Sequence, residues 1–147
     1  MLWLFDTNIF LRLAEKNNPL RQVILQALQI FRARRETVCF TPQVLSEFWN
    51  VCSRSVNACG GLGLSLAETE RKVSLIEKHF RLFPDNLATF QEWRKIVRDF
   101  AISCVQVHDA KLVASMIVHG VSNLVTFNTK EFRRFPQITA VEPQNIT

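Results

Sequence analysis

Residues 1–10 read MLWLFDTNIF. Four apolar residues, Leu2 to Phe5, run straight into Asp6, Thr7 and Asn8, and the apolar pattern then resumes. So short and unbroken a run predicts a buried strand over 2–5, and the resumed pattern predicts a helix over 8–15. A carboxylate at that junction has two readings. Asp6 or Thr7 caps the helix by accepting from its first free N–H groups. Alternatively, Asp6 is one corner of a functional site, since parallel sheets place such sites at the carboxyl ends of their strands.

The same alternation continues along the chain. Pro19 fits the first turn of a second helix, with Leu20, Val23, Ile24, Leu28 and Phe31 on its apolar face. Thr37 to Phe40 predict a strand, and Pro42 opens a helix through about Ser55. The stretch NACGGLGLS, residues 57–65, is a loop. Ser65 and Glu68 form an S-x-x-E capping box at the head of a helix to about Phe80. A short strand near 81–83, helices over 86–101 and 109–119, and strands in NLVTF (123–127) and ITAV (138–141) complete the series. No repeat, low-complexity tract or dividing linker appears, so residues 1–147 are expected to form a single domain. Its predicted fold class is α/β: a three-layer α/β/α arrangement with a mainly parallel sheet of about five strands.

Composition narrows the function classes. Of the 147 residues, 48% are hydrophobic, including 12 Phe, which excludes a disordered chain. The net charge of +5 favours polyanionic partners but says nothing of catalysis. Cys39, Cys52, Cys59 and Cys104 form no C-x-x-C pair and only three His accompany them, which argues against zinc. Free thiols in a reducing, cytoplasmic setting are the plain expectation. Asp6 interrupts the apolar start too early for a signal peptide, and no run approaches the ~20 residues of a membrane span.

Three acids stand where apolar residues belong. In the helix opened by Pro42, Val44, Phe48 and Val51 share a stripe, and Glu47 lies on it. In the helix over 109–119, Leu112, Val113, Met116 and Ile117 form the stripe, and Asp109 stands three residues before Leu112. With Asp6, these make three core-facing carboxylates at or near element ends. Buried carboxylates are costly unless paired or bound to metal, and clustered ones repel each other. A divalent cation removes both difficulties, and oxygen-only ligands point to Mg²⁺ or Mn²⁺. Each residue also has a plain structural reading. Asp109 suits the dipole of a first helical turn, Glu47 reaches solvent or pairs with an Arg, and Asn128 with Glu131 fits an N-x-x-E capping box. It is their convergence on one sheet edge that favours a site.

Four segments, LFDTN (4–8), TPQVLSEFWNV (41–51), VHDAKLVASMIVHG (107–120) and NLVTFNTKEF (123–132), resemble the motif series of PIN-domain ribonucleases. Within that family they look most like the VapC-type toxins of toxin–antitoxin systems. The resemblance runs from Leu2 to about Val141. It implies a Mg²⁺- or Mn²⁺-dependent endoribonuclease with Asp6, Glu47 and Asp109 at the family's acidic positions and as metal ligands. Asn128 falls at a fourth catalytic position that is often Asp, and an amide there brings no negative charge; Glu131 is a nearby substitute. Thr7, Asn8 and Thr126 match small polar residues lining the site. An RNA substrate, an antitoxin protein and a homodimer are the implied partners. The alternative is a PIN-like module with weak or no turnover that acts by binding nucleic acid or protein.

Lys130, Arg133 and Arg134 follow Asn128 directly and are expected to contact RNA phosphates. Arg32, Arg34 and Arg35 read instead as a solvated helix end. The CGGLG segment lacks the Lys-Ser/Thr of a nucleotide-binding P-loop and reads as a connector. Trp3 and Trp93 read as core or interface residues, and His108 as a neutral, packed imidazole. A haloacid-dehalogenase-type phosphatase needs a second Asp two positions after the first, where this chain has Asn8.

Overall fold

The unbroken apolar run at the start becomes β1, Leu2–Phe5, the middle strand of a five-stranded sheet. This computed structural model describes all 147 residues. β2 (Thr37–Phe40), β3 (Arg81–Leu82), β4 (Asn123–Val125) and β5 (Thr139–Val141) join it in the order β3-β2-β1-β4-β5. Every pairing is parallel, so all carboxyl ends share one edge. Parallel neighbours need long crossovers. These are supplied by α1 (Thr7–Ala14), α2 (Arg21–Ala33), α3 (Pro42–Ser53), α4 (Leu66–His79), α5 (Leu87–Asp99) and α6 (Gln106–Val118), giving the expected α/β/α arrangement.

The core is a single cluster of 31 buried residues, and Phe supplies much of its volume. Phe5, Phe10, Phe31, Phe40, Phe48 and Phe135 are almost wholly enclosed. The Phe10 ring lies edge-on to Phe80 at 5.1 Å between centroids and 5.6 Å from Phe5. Trp3 packs against Phe31 at 4.8 Å and donates to Glu36, while the Trp93 indole N–H donates to the Val107 carbonyl. Both are structural, as expected.

Several boundaries differ from expectation. Pro19 lies in the turn before α2, because Asn18 Oδ1 accepts from the Leu20 N–H and delays the helix to Arg21. α3 stops at Ser53 because the 57–65 loop folds back on it: the N–H groups of Leu62, Gly63 and Leu64 bond the Val51, Arg54 and Cys52 carbonyls. A Cβ on Gly61 would fall 2.3 Å from the Ser55 carbonyl oxygen, so the glycines serve this close return. α6 starts at Gln106, three residues before Asp109, and β4 ends at Val125. Arg32, Arg34 and Arg35 end α2 just before β2 begins, and so sit at the amino edge of the sheet, opposite the acids.

Candidate active site

Asp6 caps α1 and stands at the carboxyl end of β1. Its N–H continues the ladder to the Val125 carbonyl at 3.0 Å, and its extended backbone then caps α1. One carboxylate oxygen accepts from the Thr7 N–H at 2.7 Å. The other accepts from the Thr126 hydroxyl at 2.6 Å and the Asn8 amide at 3.0 Å. Asn8 also accepts from the Phe127 N–H at 3.2 Å, so it ties the start of α1 to the segment leaving β4.

Glu47 is brought to the same edge by α3, which Thr41 caps directly after β2. Its two oxygens are held separately, by the Thr7 hydroxyl at 2.6 Å and the Gln43 amide at 2.9 Å. It pairs with no Arg. Asp109 enters in the first turn of α6. Glu131, on the 3₁₀ turn Thr129–Phe132, lies close enough for its charge to push up the carboxyls of Asp6 and Asp109. Asn128 is exposed and gives no side-chain cap, so the N-x-x-E capping box does not form. The spacing of Glu131 from Asn128 suggests a capping box, and nothing local in the sequence shows that its charge falls beside Asp109.

The electrostatics record this crowding. Burial above all pushes the Asp6 carboxyl from 3.8 up to about 6, with Glu47 and Glu131 adding repulsion and the Thr126 and Thr7 hydrogen bonds opposing it. Asp109 rises to about 7, first through burial, then through the charges of Glu131 and Asp6. None of the four carboxylates has a salt bridge to a Lys or Arg.

The donor set therefore suits a hard cation: oxygen ligands, excess negative charge and no cationic side chain to balance it. The acids are near enough to repel, yet no three of them converge into a ready coordination shell. Asp6 accepts three hydrogen bonds and Glu47 two.

His108 is exposed, against the expected packed imidazole; its place at the outer face of the first turn of α6 leaves the ring in solvent. Lys130, Arg133 and Arg134 are exposed beside the site, and the Arg134 guanidinium donates to Gln106 Oε1 at 2.7 Å. The four cysteines are all free. No helix is long and apolar enough to cross a membrane.

Comparison with known proteins agrees with this architecture. The family model described as the PIN domain matches residues 3–138. No curated protein sequence matches. Among solved structures, VapBC2 from Rickettsia felis bound to a promoter DNA fragment superposes with a TM-score of 0.72 at 18% identity, covering 97% of this chain and 98% of that one. A toxin–antitoxin complex from Klebsiella pneumoniae gives 0.66 at 21% identity, covering 95% and 96%. VapC20 of Mycobacterium tuberculosis, described as a sarcin–ricin loop cleaving toxin, gives 0.67 at 17% identity, covering 96% and 99%. At these identities the likeness is one of fold.

Proposed function

The chain belongs to the PIN domain family, and from that premise we propose that it is a Mg²⁺- or Mn²⁺-dependent endoribonuclease, the toxin of a toxin–antitoxin pair. One observation carries the reading: Asp6, Glu47, Asp109 and Glu131 gather at the carboxyl edge of one sheet with no salt bridge to a Lys or Arg.

Asp6 and Asp109 would hold the ion, with Glu47 beside it or joined to it through water. The bound ion supplies positive charge for the scissile phosphate and lowers the pKa of a nearby water. Thr126, Asn8 and the Thr7 N–H keep Asp6 in one orientation, so it needs no rearrangement as substrate arrives. Glu131 supplies the negative charge that Asn128 lacks. Lys130, Arg133 and Arg134 hold flanking phosphates of the RNA. Water adds to phosphorus, the P–O bond to the leaving nucleoside breaks, and the products are a phosphate monoester and a free hydroxyl.

An antitoxin partner is supported by neighbours that are themselves toxin–antitoxin complexes. The exposed Asn128 favours a second reading, a binding module without turnover. Purified protein incubated with RNA and Mn²⁺ separates the two. Cleavage that stops on chelation and in Asp6→Asn protein supports the enzyme; cleavage unaffected by either change refutes it.

A further inference from the structure

Gln43 enters the site from α3, one turn before Glu47 and at the second residue of the helix. Its amide nitrogen donates twice at 2.9 Å, to Glu47 Oε1 and to the backbone carbonyl of His108 in the first turn of α6. Both partners accept, so the amide has only one workable orientation: turned over, its oxygen would face oxygen twice. With both N–H groups committed, Gln43 Oε1 is buried and has no hydrogen-bond partner. Folded proteins leave few buried acceptors unpaired. No protein group donates to it, so water is the donor it suits.

We infer that Gln43 is a positioning residue: it straps the Glu47 carboxylate on α3 to the backbone one residue before Asp109 on α6, and its free oxygen accepts from an ordered water. The functional consequence rests on the nuclease reading, since the spacing of these acids matters when they serve one ion. Mg²⁺ tolerates little slack in its ligand positions, so a strap between two helices sets how well the acids meet it.

A solvated residue at this place in a helix predicts little change: glutamate interacts favourably with the macrodipole near a helix N-terminus, which offsets its weak repulsion from Glu47 one turn on. The strap predicts loss, because a new carboxylate would face Glu47 and the His108 carbonyl.

The test uses wild-type, Gln43→Glu and Gln43→Met protein, compared by metal-free melting, by Mn²⁺ affinity from electron paramagnetic resonance, and by RNA cleavage. We expect Gln43→Glu to lower the melting temperature by about 3–6 °C. Gln43→Met should weaken Mn²⁺ binding about tenfold and lower kcat similarly, with KM for RNA within about twofold. If the wild type binds Mn²⁺ but cuts no RNA, the nuclease reading fails and the strap stands or falls on melting and Mn²⁺ affinity. Gln43→Glu melting at or above the wild type, with wild-type Mn²⁺ affinity in Gln43→Met, overturns the strap.

Discussion

The Thr126 hydroxyl lies 2.6 Å from Asp6 Oδ2, although 120 residues separate the two along the chain. The hydroxyl is fully used: it donates to Asp6 and accepts from the Asn8 amide at 3.1 Å and the Asn128 N–H at 3.0 Å. Thr126→Val keeps the shape and removes every one of these bonds. Unfolding by denaturant should show a loss of about 2–3 kcal/mol. The Asp6 carboxyl should also titrate higher, because the Thr126 bond is among those holding it down. Thr126→Ser should recover most of both effects. A Val variant with wild-type stability would show that the network carries little weight.

Asp6 caps α1, and under the proposed function it also serves as a ligand; substitution can separate the two. Asn caps a helix about as well as Asp, whereas Ala loses the cap and about 1 kcal/mol. Asp6→Asn should therefore fold as well as the wild type yet cleave RNA more than about a hundredfold slower, as expected for a lost ligand. Asp6→Ala should lose cleavage and melt lower. Circular-dichroism melts beside a cleavage time course distinguish the outcomes.

Metal-free protein should grow less stable as pH rises. Asp6 and Asp109 move from 3.8 to about 6 and about 7 in the folded state, so the fold holds more protons than the unfolded chain across that interval. By linkage their stabilising contribution is complete below about pH 4 and is lost as pH climbs past 7. Asp109→Asn should flatten the profile and stabilise the metal-free protein near pH 8 by on the order of 2 kcal/mol, a figure reduced for its partial exposure. Mn²⁺ should raise the melting temperature of the wild type well above that of the variant at equal concentration. A wild-type melting temperature that rises with pH over this window would contradict the assignment.

The basic residues make a prediction in salt. Replacing Lys130, Arg133 and Arg134 one at a time should weaken RNA binding and flatten the logarithmic salt dependence by about 0.7 for each lost phosphate contact. Substituting Arg34 or Arg35, at the far edge of the sheet, should leave that slope unchanged. Filter binding with Asp6→Asn protein, in a buffer with chelator to prevent cleavage, measures both.

Much of this arrangement was legible in advance because hydrophobic phase is a local signal. The apolar run before Asp6 and the stripes carrying Glu47 and Asp109 bring three acids to one edge once the strands are parallel. The contacts that refine the edge were not local. Gln43 looks like any polar residue near a helix start until α6 places the His108 carbonyl against it. Glu131 looks like the partner of Asn128 until the 3₁₀ turn directs it to Asp109. The start of α6 was missed because Val105 offers no side-chain cap and Cys104 takes a positive φ of 54°, neither of which an apolar pattern records.

The strand order has a consequence in time as well as in space. β1 takes β4 as a neighbour, so the cradle around Asp6 lacks one wall until Val125 and Thr126 have been made and have docked. During synthesis Asp6 is made well before Val125 and Thr126, and it acquires its setting only once they have docked. Fragments that stop before Val125 should therefore lack the assembled pocket, and a partner that recognises it should not bind them.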